Sequence, residues 1–110
     1  MPDAVDAQPF AVGGTDTDAE IAVSGELDAR QAQRLRELLL GTINDPRVRT
    51  VRVDCSNVTF IDSTGLGVLV LATKRAIDRE VRLVLHAPSA RVQQLLELTG
   101  LDKVLVVEPG

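Results

Sequence analysis

Residues 51–67, Val-Arg-Val-Asp-Cys-Ser-Asn-Val-Thr-Phe-Ile-Asp-Ser-Thr-Gly-Leu-Gly, constrain the fold of this chain more than any other stretch. A β-branched apolar segment passes through a polar turn into Phe60-Ile61. It then breaks at Asp62-Ser63-Thr64-Gly65 into a long apolar segment of helical character. A strand that runs straight into a helix leaves its small polar residues at the edge of the fold, beside the unpaired N–H groups of the new helix. Asp62, Ser63 and Thr64 stand at that edge, so function is expected there.

Strand-like and helix-like segments alternate on both sides of this junction. A short strand over 10–12, a turn over 13–18 and a second strand over 20–24 predict a hairpin at the edge of a sheet. A helix is expected over 29–42. Asp28 can accept from its first-turn N–H groups, Gln31 stands at capping-box spacing, and Ala32, Leu35, Leu38, Leu39 and Ile43 share one face. Asn44-Asp45-Pro46 ends it. A central strand over 50–55 points Val51 and Val53 one way and Arg52 and Asp54 the other. The helix opened by Ser63 runs to about residue 78, with Leu66, Leu69, Val70, Thr73, Ala76 and Ile77 on one face. Val68 and Leu71 make its first half apolar almost all round, as in a helix that is largely buried or keeps a stripe for a partner. Gly65 and Gly67 weaken a helix by about 1 kcal/mol each, which points to close approach, to the sheet or to a docking protein. A strand over 81–85 follows. A third helix opens at Ala87-Pro88-Ser89 with proline in its first turn, turns Val92, Leu95, Leu96 and Thr99 inward, and closes on a left-handed Gly100. The last strand is expected over 103–107. The order β-β-α-β-α-β-α-β implies an α/β fold: a small mixed, mostly parallel sheet with helices packed against it.

At 110 residues the chain is expected to form one domain, 1–110, with 1–9 as a flexible lead-in and enough core to need no metal or disulfide staple. Five of the 16 acidic residues (Asp3, Asp6, Asp16, Asp18 and Glu20) fall in the first twenty, which hold no Lys or Arg. The remaining 11 face 12 basic residues, so the body is nearly neutral. No basic footprint for a phosphate backbone exists, and Phe10 and Phe60 are the only aromatics, which argues against direct nucleic-acid binding. With one cysteine, Cys55, and no long apolar run or leader, a cytoplasmic protein without a membrane contact is expected.

Catalytic readings of the same residues fail on spacing. Ser63 has no neighbouring base, because the one histidine, His86, belongs to another strand, and no glycine stands two residues before the serine as a nucleophile elbow requires. Gly65 and Gly67 are not followed by Gly-Lys-Ser/Thr, so they form no phosphate-binding loop. His86 has no second ligand beside it and is read as structural or solvated. Asp54 at a strand end invites comparison with a receiver-type phospho-acceptor, in which Glu26 and Asp28 would supply the acidic pair for Mg²⁺ and Lys103 the lysine, but their spacing matches poorly. No catalytic residue, metal or cofactor is expected.

Asp62-Ser63-Thr64-Gly65-Leu66-Gly67, preceded by Val58-Thr59-Phe60-Ile61, resembles the signature of the STAS family, whose stand-alone members are anti-sigma-factor antagonists. Gly25-Glu26-Leu27-Asp28, the strand at 81–85 and Leu95-Leu96-Glu97-Leu98-Thr99-Gly100-Leu101 fit the same pattern in order and spacing, so the resemblance covers roughly residues 21–107. It departs at two points: the family's final helix has no counterpart after Val107, and the turn before Val81, often built with glycine, is Asp78-Arg79-Glu80. The resemblance implies that the unphosphorylated protein binds an anti-sigma factor that is itself a serine kinase and so frees a sigma factor. The kinase then phosphorylates Ser63, and a serine phosphatase restores the protein. It implies that Asp28, Asp62, Ser63, Thr64, Gly65 and Leu66 meet the partner, with Thr64 the rival acceptor if not simply a first-turn residue. The alternative within the family is a scaffold subunit of a stress-sensing or transport complex that is not phosphorylated. Nucleotide binding, suggested for some members, has no motif here.

Overall fold

A computed structural model describes residues 9–110, so the lead-in expected at 1–9 falls outside the described residues except for Pro9. The elements follow the expected order: β1 (Phe10–Gly14), β2 (Asp18–Leu27), α1 (Ala29–Ile43), β3 (Thr50–Ile61), α2 (Ser63–Asp78), β4 (Arg82–His86), α3 (Ala90–Thr99) and β5 (Val107–Glu108). The hairpin β1–β2 is antiparallel and the other three pairings are parallel, in the spatial order β1-β2-β3-β4-β5. Because each crossover from β2 to β5 steps the same way along the sheet, right-handedness puts α1, α2 and α3 on one face. A single cluster accordingly gathers Ala32, Leu35 and Leu39 of α1, Leu66, Leu69 and Ala76 of α2, and Val92 and Leu96 of α3 over Ile21, Val51, Val53 and Leu85 of the strands. Each fully buried Leu or Ile here contributes about 1.5–3 kcal/mol.

The largest departure from the sequence reading is β3, which runs 12 residues rather than ending at Cys55. What reads as a polar turn is bulged strand. Opposite β2, the register slips between Ala22/Ser24 and Gly25/Glu26, with β3 carrying the extra residue each time. Two bulges turn Ser56, Asn57, Thr59 and Phe60 outward while Val58 and Ile61 return to the core, which plain alternation would not allow. The same slips lengthen β2 to Leu27, and Gly25 at φ +82° supplies a conformation that side chains disfavour.

Smaller corrections have local causes. In α2 the buried set is Gly65, Leu66, Val68, Leu69, Ala72, Thr73 and Ala76, and Ile77 is exposed, so the helix is rolled toward its apolar first half. In α3 Val92 and Leu96 are buried, Leu95 is half-buried, and Thr99 is turned out. Pro88 precedes α3, whose cap is Ser89: its Oγ accepts from Val92 N–H at 3.3 Å and donates to Val58 O at 2.8 Å, fastening the helix to β3. Gly100 closes it at φ +76° as expected. The last strand keeps only Val107–Glu108, because Leu101–Lys103 form a 3-10 turn. At the turn before β4, Glu80 adopts φ +59°, a left-handed position that explains why glycine suits this turn in the family the sequence resembles. No described helix is long and apolar enough to cross a membrane.

Candidate functional site

The C-terminal ends of β2 and β3 lie side by side, with Glu26 opposite Phe60 and Leu27 opposite Ile61. A helix springs from each, so α1 and α2 begin at the same end of the sheet. Asp62, in extended conformation, caps α2: its Oδ1 accepts from Gly65 N–H at 3.0 Å and its carbonyl from Leu66 N–H at 3.0 Å. The N–H groups of Ser63 and Thr64 have no intrahelical acceptor, and both side chains are exposed. Ser63 is thus the first residue of a 16-residue helix, its hydroxyl at the positive end of the dipole.

Gly65 holds this turn in place. A Cβ there would stand 2.8 Å from Ile61 Cγ1 and 3.2 Å from both Leu27 Cδ2 and Leu27 O, so only glycine lets the start of α2 lie against the ends of β2 and β3. Gly67 is different. It is exposed with nothing within 4 Å of an added Cβ, so the fold itself does not require it. Of the six residues expected to meet a partner, Asp28, Ser63 and Thr64 are exposed and Asp62 half-exposed, whereas Gly65 and Leu66 are buried and shape the surface from below. Asp28 caps α1 as expected, its Oδ1 accepting from Gln31 N–H at 3.0 Å. The Gln31 side chain accepts from Arg34 instead of completing a capping box. Phe60, 38% exposed one residue before Ile61, adds an aromatic that the sequence reading left unassigned, because only the bulge turns it outward.

The remaining chemistry-bearing residues lie elsewhere. Asp54 faces the helix-free side of the sheet opposite Ala22, four residues before Glu26. Its carboxyl is held below the usual aspartate value by the backbone and hydroxyl of Ser56. Lys103 stands exposed in the 3-10 turn, and no group of three His, Cys, Asp or Glu side chains among the described residues converges as a metal site, so the receiver arrangement does not assemble. His86 Nδ1 lies 2.6 Å from Glu108 Oε1, which also accepts from Arg52 Nε at 3.0 Å. This network ties β5 across β4 to β3. Burial pushes the Cys55 thiol up to about 12, which leaves it an unreactive core residue.

A family model described as Mlab, STAS domain, matches residues 10–108. The chain belongs to the STAS family. It is 39% identical over 95 residues to the anti-sigma-B factor antagonist of Listeria monocytogenes, an alignment covering 84% of this chain and 82% of the relative. The solved structure of an anti-sigma factor antagonist from Mycobacterium paratuberculosis superposes with a TM-score of 0.78 at 26% identity, covering 92% of this chain and 85% of that one. The phosphorylated form of the Bacillus cell fate determinant SpoIIAA shares the fold, with a TM-score of 0.72 at 22% identity over 89% of each chain. The STAS resemblance and the α/β class are therefore borne out.

Proposed function

We propose that this STAS protein is an anti-sigma-factor antagonist whose unphosphorylated form binds an anti-sigma factor with serine-kinase activity and so releases a sigma factor. Phosphorylation of Ser63 by that partner switches binding off, and a serine phosphatase reverses it. The relatives are named as anti-sigma-B factor antagonists, which supports the partner class. The observation that carries the site is Ser63 itself: an exposed hydroxyl at the first position of α2, held by the Asp62 cap and the glycine contact behind it. In this reading the protein is substrate and ligand rather than catalyst, and it works in the cytoplasm, where sigma factors meet polymerase.

The physics of the switch follows from the geometry. A phosphate adds about −1.5 to −2 charges beside Asp62. The open Ser63 and Thr64 N–H groups and the helix dipole favour an anion, so the fold survives modification. A partner that has desolvated Ser63 loses several kcal/mol from the buried charge and its acidic neighbours, and each 1.4 kcal/mol is tenfold in affinity. One phosphate therefore changes binding by about a hundredfold or more with little movement of the backbone.

The test is titration of Ser63→Ala and Ser63→Asp against the cognate kinase, with phosphate mapping of protein from growing and stressed cells. The expected result is wild-type affinity without phosphorylation for Ala and loss of affinity for Asp. Equal affinity of the two variants overturns the switch. Phosphate on Thr64 moves the acceptor, and phosphate nowhere under any condition returns the protein to the scaffold class.

A further inference from the structure

The two edges of the sheet are built differently. At one, β5 keeps two residues: Leu85 N–H donates to Val106 O at 2.9 Å, Ala87 N–H to Glu108 O at 2.7 Å, and Pro109 follows, so the edge is short and ended by a proline. At the other, β1 reads Phe-Ala-Val-Gly-Gly, with no charge and no proline inside it, and Val12 is 62% exposed. Proteins blunt such an edge unless it is used.

Among the described residues, pairing with β2 decides which backbone groups of β1 have a partner. Ser24 N–H donates to Pro9 O at 2.9 Å and Thr15 N–H to Asp18 O at 2.9 Å, and the register between them is unbroken. Residues 9, 11, 13 and 15 therefore face β2, and Phe10, Val12 and Gly14 present their N–H and C=O groups outward. That outward row is symmetric about Val12. We propose that β1 is the seam of a two-fold homodimer, in which the strands of two copies pair antiparallel with Val12 opposite the partner's Val12.

Two further features point to a second copy as the occupant. The helix-side face of β1 borders an open pocket of about 380 Å³, lined by apolar Val12 and Leu38 and by charged Asp16, Glu37 and Arg47, and the partner's Val12 lies on this side. The charges at the two ends of the strand are complementary. The Arg34 guanidinium lies 5.9 Å over the Phe10 ring at the start of β1, and Asp16 follows its end, its side chain 80% exposed and only loosely paired with Arg47 at 3.7 Å. The two-fold axis brings each Arg34 toward the partner's Asp16. A five-residue seam is small, which makes the association weak and visible only at high concentration.

Sedimentation velocity on the full chain from about 10 μM to about 1 mM tests this. The wild type should shift progressively from monomer to dimer. Val12→Pro removes an outward N–H that β2 does not use, so it should leave the circular dichroism spectrum unchanged and keep the protein monomeric. Arg34→Asp reverses both symmetry-related pairs and should weaken association about tenfold, with recovery when Asp16→Arg is added. A wild type that stays monomeric throughout, a folded Val12→Pro that associates as well as wild type, or an Arg34→Asp of undiminished association overturns the proposal. Should Val12→Pro fail to fold, the Arg34→Asp result and its rescue decide alone.

Discussion

Two helices begin at the same end of the sheet, each capped by an aspartate that accepts from the third helical N–H at 3.0 Å, and only one of them carries the proposed switch. The start of α1 stands off from the strands: Asp28, Ala29 and Arg30 are exposed, and the third helical residue is Gln31. The start of α2 is pressed onto them, because its third residue is a glycine with no room for a Cβ. Both ends offer free N–H groups and a positive dipole, so capping chemistry alone does not make a site. The difference lies behind the cap, where Gly65 fixes Ser63 against two strand ends while leaving its hydroxyl in solvent.

The largest test of that contrast moves one charge between the helices. Ser63→Asp should weaken binding to the proposed anti-sigma-factor kinase about a hundredfold, whereas Ala29→Asp, at the equivalent position of α1, should change it by less than about tenfold in a calorimetric titration. Equal losses would mean that the partner reads charge rather than position. Next in size is Gly65→Ala. The Leu27 carbonyl is backbone and gives way poorly, so the substitution should cost about 1–3 kcal/mol in urea unfolding, against less than about 0.5 kcal/mol for Gln31→Ala. The caps rank below it: Asp62→Ala should cost about 1–2 kcal/mol and the more exposed Asp28→Ala about 0.5–1 kcal/mol. Gly67→Ala, in open space, should instead stabilise by up to about 1 kcal/mol.

Acid acts elsewhere in the molecule. The Glu108 carboxyl is held below its ordinary 4.5 by the Arg52 hydrogen bond first and His86 second, and Asp54 is held below 3.8 by Ser56. A depressed folded-state value means that the stabilisation is complete above the ordinary value and lost as pH falls through the depressed one. Unfolding midpoints followed from pH 7 to about pH 3 should fall on the acid side. Glu108→Gln should flatten part of that slope, and hydrogen exchange should show β5 loosening before the starts of α1 and α2. These groups are half-buried at the surface, where solvent still screens them, so the effect is the smallest of the set.

Several of these differences were legible in the chain itself. Asp62-Ser63-Thr64-Gly65 after Ile61 announces a capped helix start with a hydroxyl at its first position, Asp28 announces another, and Gly100 closes α3 as its position implies. The bulges of β3 were not, since Ser-Asn between apolar residues looks like a turn until β2 is seen beside it. Neither was the exposure of Phe60 and Ile77, nor the union of Arg52, His86 and Glu108, which lie on three strands.

By itself, then, the sequence determined the order of elements, the parallel crossovers and the place of Ser63, because caps, breaks and apolar periodicity act over a few residues of chain. Only the tertiary structure decided which glycine matters, which way α2 is rolled and which edge of the sheet stays open. Those depend on what comes to lie beside a residue from elsewhere in the chain: Leu27 and Ile61 behind Gly65, β2 against the bulges of β3, and no strand at all beyond β1 among the described residues.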